Sequence, residues 1–330
     1  MAYTDNVAMI ERKGDPALVT RIIGWGTLGA LAAFLIDNIL MVGFDFQPPW
    51  AALSGDSTAL ATALVYVALI GLGVIHVLRS PTTALRWDAE RINRANLYIV
   101  RSLYFGVLLV GIFDIAISFM RVEHIFDMFL SGEWVRRFER PDFVGLYVHI
   151  PLFVIGFVWG AFSRTLGIPW LALLVIVAEL MIVIARFVFS YEQAFMGDLV
   201  RYWYSALFLM ASAYTLHEEG HVRVDILYAG LQQRVRGVIN TWGTLLLGMP
   251  TAWVILAVSF AGKHSIINSP VMNFEVSQTG SIGLFVKYQM AAFLGIFAAT
   301  MLIQFVCMLF EAVADSRGEP GHRETHSVEQ

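Results

Sequence analysis

Charge is scarce in this sequence. Of its 330 residues, 15% are charged and 58% hydrophobic, and the mean hydropathy is +0.67, whereas a soluble globular domain carries about 25% charge. That shortage excludes a water-soluble fold and marks a membrane protein. Cysteine is nearly absent as well. Cys307 stands alone in an apolar run, which excludes an intrachain disulfide and a thiolate metal site. The net charge of −4 gives no electrostatic reason to expect nucleic acid as a partner. A phosphate-binding glycine loop, a nucleophile elbow and paired loop carboxylates are all missing, so nothing argues for an enzyme.

Long apolar runs are abundant. A hydrocarbon core of about 30 Å takes roughly 20 apolar residues as helix, because only a helix satisfies its own backbone groups in lipid. Eight runs qualify: Leu18 to Phe44, Ala59 to Val77, Leu97 to Met120, Val144 to Phe162, Ile168 to Phe189, Leu199 to Leu216, Val238 to Ala261, and Ile282 to Phe310. The expected fold is therefore an all-α polytopic membrane protein with about eight transmembrane helices and amphipathic helices at its surfaces. The polar start, with Glu11, Arg12, Lys13, Asp15 and Pro16, leads into a run too long for the core of a cleaved signal peptide. It reads as a retained first span.

An even number of spans puts both termini on one side. With that side in the cytoplasm, fourteen of the 22 Lys and Arg residues fall in inner segments and seven in outer ones, Arg186 lying within a span. Cytoplasmic segments carry such an excess. The stretch "LGIP" near Gly167 separates four spans from four, giving an N-terminal extension over 1–167 and a second four-span unit over 168–312. Residues 313–330, rich in Gly, Pro and mixed charge, read as a disordered cytoplasmic tail.

Two connections read as helices lying on the membrane. From Asp225, a suitable N-cap, Leu227, Leu231, Val235 and Val238 recur at helical spacing, with Gln232, Gln233 and Arg236 elsewhere around the helix. Within "RVEHIFDMFLSGEWVRRFER", Ile125 aligns with Phe129 and Phe126 with Leu130.

Ionisable residues inside spans are costly and become functional candidates. Here they are Asp37, Asp114, Glu179 and Arg186. Asp114 and Arg186 both fall toward the outer ends of their spans, so an ion pair between them is geometrically allowed. Glu179 falls near the bilayer centre and must be protonated, paired or facing another protein. An inter-helix or inter-subunit hydrogen bond suits it better than a proton relay, for which partners at that depth are missing. Histidines raise the question of haem, but His76 and His149 fall at opposite depths. His217 and His221, four apart, straddle Gly220 and have no third ligand. No metal or cofactor is expected. Gly156 and Gly160 in "GFVWG" match the spacing of close helix contacts, within the chain before between chains.

The stretch "YTLHEEGHVRVDILYAGLQQRVRGVINTWG" resembles the signature of the small, Q-type permease subunit of TRAP transporters, the tripartite ATP-independent periplasmic systems. His221, Arg223 and Asp225 carry its core, followed by the Arg-containing segment with Arg234 and Arg236. Upstream, Arg186 and Phe187 in "IARFVFS" resemble an arginine-aromatic pair of the family. Downstream, Glu275, Ser277 and Lys287 in "FEVSQTGSIGLFVKY" resemble a Glu-x-Ser and later Lys of its larger members. Asp198 in "MGDLVRYWY" stands where the family tends to show Glu, and the first four spans have no counterpart in its short members. The resemblance covers about residues 168–312.

That resemblance implies a non-catalytic subunit of the bacterial inner membrane. Its implied partners are a large permease subunit, a periplasmic substrate-binding protein and membrane lipid. The system it implies moves organic acids or related solutes on an ion gradient, with this subunit bracing the large permease's scaffold. Arg223 and Asp225 then pair locally or with the partner, and Arg234 and Arg236 meet headgroup phosphates. Two alternatives stay open. An independent transporter or channel would show broken helices and polar groups meeting at the midplane. A redox membrane anchor would need histidines at matching depth.

Overall fold

The computed structural model describes residues 11–164, 168–190, 194–217, 228, 230–276 and 283–321. Its helices are α1 (Leu18–Phe44), α2 (Ser57–Arg79), α3 (Leu85–Val122), the short α4 (Phe126–Phe129) and α5 (Gly132–Phe138), α6 (Pro141–Phe162), α7 (Ile168–Val188), α8 (Ala194–His217), α9 (Gln233–Ser259), the short α10 (Asn268–Met272) and α11 (Lys287–Arg317). Among the described residues there is no strand, only a bridge between Lys13 and Thr83. Among the described residues, seven helices, α1, α2, α3, α6, α7, α9 and α11, are long and apolar enough to cross a membrane. The eighth expected span, α8, has 24 residues and so the length, but Asp198, Arg201 and its tyrosines and serines leave it less apolar than the other seven.

Two of the spans share one irregularity with one cause. Proline lacks an N–H, and its ring clashes with the carbonyl four residues earlier. Ahead of Pro151 the helix α6 widens into a π turn over Gly145–His149, and ahead of Pro250 the helix α9 does the same over Thr244–Gly248. In each, the residue before the proline bonds five residues back, Ile150 N–H to Gly145 O and Met249 N–H to Thr244 O. The strain is thus relieved inside the helix.

Packing divides the chain into two compact units, each drawing on both sides of residue 167. The first holds residues 1–96, 215–263 and 298–330. In it α1 and α2 pair closely: a Cβ on Gly29 would lie 2.5 Å from Leu69 O, and one on Gly73 2.7 Å from Trp25 O. Asp37 accepts from the Tyr66 hydroxyl at 3.2 Å. Trp25 packs edge-on against His76 at 4.6 Å. Helix α1 packs onto later parts of the chain, with Gly24 against Phe310 and Phe34 against Trp253 and Phe260. Arg21, fully buried, pairs with Asp88 at 2.8 Å and also donates to Ser80 O.

The tail departs from the expected disorder over its first residues. Helix α11 runs on to Arg317, because Arg86 holds Asp315 at 2.6 Å and donates to Glu319 O and Pro320 O, while Arg317 donates to Asp15 O at 3.2 Å. Burial pushes the Glu319 carboxyl up, against the opposing pull of Arg317 and Arg86. Residues 322–330 lie outside the described residues.

The second unit holds residues 97–214 and 264–297. Its core gathers Val100, Tyr104, Val107, Leu171, Leu199, Tyr202, Trp203 and Phe293. A smaller cluster joins Ile117, Phe126, Val144 and Phe285. Gly156 and Gly160 pack within the chain, where α6 crosses α3. A Cβ on Gly156 would stand 2.5 Å from Gly106 N, and one on Gly160 2.9 Å from Ser102 Cα.

The surface helices differ from expectation. Residues 230–232 form a turn and α9 begins only at Gln233, so Val235 and Val238 belong to the first turns of a span. The expected cap Asp225 and Leu227 lie outside the described residues. The 121–140 connection is two short helices, with Phe126 buried and stacked on Phe138 at 5.0 Å.

Candidate functional site

Helix α11 is entered through irregular backbone, residues 283–286, that is wholly buried. Buried N–H and C=O groups must find partners, the more so at membrane depth. Three side chains supply them. Arg121 Nη2 donates to Gly283 O at 2.7 Å, and its guanidinium lies 3.9 Å from the centre of the Phe285 ring. Asp198 Oδ2 accepts from Leu284 N–H at 3.3 Å, and Asp114 Oδ2 accepts from Phe285 N–H at 2.8 Å. Helices α3 and α8 thus clamp the loop.

A buried side-chain network extends from Asp114. Its Oδ1 lies 3.3 Å from His149 Nε2, an ion-pair separation without hydrogen-bond alignment. His149 ends the π turn, so the widening ahead of Pro151 sets its direction. Its Nδ1 lies 2.9 Å from the Tyr288 hydroxyl and 2.9 Å from Gln289 Nε2. Gln289 also donates to the Tyr288 hydroxyl at 2.9 Å and accepts from the Tyr202 hydroxyl. With Nε2 protonated toward Asp114, Nδ1 accepts, and the chain from Tyr202 to Phe285 has a consistent direction. These contacts tie α3, α6, α8 and α11 together through buried polar side chains.

At the rim, Phe274 adopts a left-handed backbone with φ 47°, and its ring packs against Gly145 and Tyr288. The next residue, Glu275, accepts from Tyr288 N–H through its carbonyl at 3.1 Å and from Lys287 Nζ through its carboxylate at 2.6 Å. Both side chains of that pair are partly exposed.

Of the residues singled out from sequence, Glu275 and Lys287 are therefore brought together, and Asp114 joins the clamp. Asp114 does not pair with Arg186; its partners are His149 and Phe285 N–H, because a fully buried carboxylate takes the nearest donors and Arg186 is exposed on α7. Glu179 is exposed too, midway along α7. Arg234 is exposed beside Gly318, whereas Arg236 donates to Leu231 O at 2.9 Å and lies over the Tyr228 ring. His217 is buried between Asn93 and Gln304, at 3.0 and 3.3 Å. His221, Arg223, Asp225 and Ser277 lie outside the described residues.

Sequence reading missed the roles of His149, Arg121, Tyr202, Tyr288 and Gln289. Two of the clamp's three bonds end on backbone N–H groups and one on a carbonyl, which leave no mark in a sequence. The proline two residues after His149 was the available signal.

These features define a class: an all-α polytopic membrane protein whose buried polar groups fix a loop between helices. Residues 173–315 match the family model described as Tripartite ATP-independent periplasmic transporters, DctQ component. That part of the chain belongs to the family, and four long apolar helices, α1, α2, α3 and α6, precede it. No curated protein and no solved structure matches the chain.

Proposed function

We propose that this chain is the non-catalytic membrane subunit of a binding-protein-dependent transporter, driven by an ion gradient, for organic acids or related solutes. The observation that carries the reading is the family match over 173–315, which contains the clamped loop 283–286 and Asp198, one of its three holders. In this reading the subunit braces the scaffold of a large permease, and a periplasmic substrate-binding protein delivers the solute. The clamp suits a brace, since a loop held by Asp114, Asp198 and Arg121 resists sideways load. The 24 residues of α8 reach about 36 Å and count as the eighth span. Both termini then lie in the cytoplasm of a bacterial inner membrane.

The surface motif has an assembly role in the same reading. Arg234 and Arg236 sit in the first turn of α9, at headgroup height, where they set the depth of the span. His221, Arg223, Asp225 and Ser277 add contacts to the partner, and the Glu275–Lys287 pair presents a fixed charge couple at the opposite surface. The first four spans widen the scaffold.

Co-expression with a large many-span permease and a secreted binding protein tests the proposal. The tagged chain copurifies with the permease, and vesicle uptake requires all three components and an ion gradient. Uptake by vesicles holding this chain alone would mean an independent transporter, and a Soret band in the purified protein a redox anchor.

A further inference from the structure

Helix α7 is the least covered span. Only 11% of its most apolar stretch is buried, against 56% for α3 and α11. Its inner stripe, Leu171 and Ala178, enters the core. Roughly a quarter turn away runs an exposed line of Ile176, Glu179, Val183 and Arg186. Glu179 is one residue past the middle of the 21-residue helix. Among the described residues it has no hydrogen bond or ion pair. Arg186, seven residues on, falls within about 20° of the same line and about 10 Å along the axis.

A carboxylate facing hydrocarbon at the bilayer centre is among the costliest surface features a span can carry. Its remedy is a neighbour offering a donor at the same depth. A parallel second copy across a two-fold axis would bring Glu179 to Glu179, like against like. A different chain carries no such penalty, and the family is one of multi-component transporters.

We infer that the Ile176–Glu179–Val183–Arg186 face of α7 is covered by a transmembrane helix of the large permease subunit, which presents a hydrogen-bond donor or cation to Glu179 near mid-bilayer. The inference rests on the proposed function and names the surface at which that assembly forms. The partner helix is apolar around its donor, to match Ile176 and Val183. It leaves room near one end for an acceptor or headgroup at Arg186.

Photo-crosslinking residues placed singly at Ile176 and Val183, with Leu64 on α2 as control, test it in membranes co-expressing the large permease. Crosslinks to the permease are expected from both α7 positions and not from Leu64. Glu179→Leu replaces an exposed charge with an apolar group, so insertion is preserved. The copurifying permease should nevertheless fall about three- to twentyfold, the range of one interhelical hydrogen bond in lipid. Glu179→Gln keeps a hydrogen-bonding side chain and retains most of the partner. Crosslinks from α7 only to a second copy or to lipid, or an undiminished yield with Glu179→Leu, would overturn the inference while the wild-type chain still brings down the permease. A wild-type chain that brings down no permease refutes the proposed function itself.

Discussion

Asp114 serves two partners at once, the Phe285 N–H and the His149 ring, with no water-exposed face. Asp114→Ala leaves both unsatisfied in a buried site, at roughly 1–3 kcal/mol for each stranded group. Asp114→Asn keeps an acceptor oxygen for Phe285 N–H and weakens only the His149 contact, so it should lose about half as much. Thermal unfolding of the detergent-purified chain ranks the two. Equal midpoints for Asp114→Ala and wild type would show that the clamp bears no load. The residue itself was legible, since a carboxylate inside an apolar run draws notice. Its partner was not: depth along a span allowed Arg186, and only the folded chain shows that α7 turns Arg186 outward. Glu275 and Lys287 were found through family likeness, twelve residues apart, and in the folded chain the pair lies at 2.6 Å.

At the scale of elements, spans were legible because apolar length is a strong signal, and the exceptions follow from what breaks that signal. Helix α3 starts at Leu85, twelve residues before its apolar run, because "LRWDAERINRAN" is a good helix former that composition alone assigns to a connection. The turn at 230–232 interrupts a hydrophobic repeat that reads as continuous on paper. The crossing of α6 and α3 gives a ranked prediction. Around a Cβ on Gly156 the nearest atoms are all backbone, Gly106 N and Cα and Ser102 O, so nothing can rotate aside. Around Gly160 the Ser102 hydroxyl can rotate, although Ser102 Cα cannot. Gly156→Ala should therefore destabilise by about 1–3 kcal/mol and Gly160→Ala by less. Adding Ser102→Gly should recover part of the second loss and none of the first. A thermal series over these variants decides it, and the reverse order would mean that α6 slides to relieve the contact.

At the scale of the whole molecule, the boundary at residue 167 divides the sequence, while each compact unit draws on both sides of it. In one unit α1 rests on Trp253, Phe260 and Phe310, and Arg86 holds Asp315. In the other, Asp114 and Arg121 hold the loop that opens α11. No reading of composition shows this, because the contacts join residues as much as 302 positions apart. The consequence is that residues 168–330 alone lose the donors and acceptors for Gly283 and Phe285, and with them the ion partner of Asp315. Expressed without 1–167, this half should fail to accumulate in the membrane or melt well below the full chain. Expressed together as two chains cut at Gly167, the halves should find each other, since every contact named above survives the cut. A tag on either half should then recover both, with a melting temperature near that of the intact protein. If residues 168–330 accumulate alone, melt like the full chain and support full uptake, the extension is an accessory and the shared packing contributes nothing to stability.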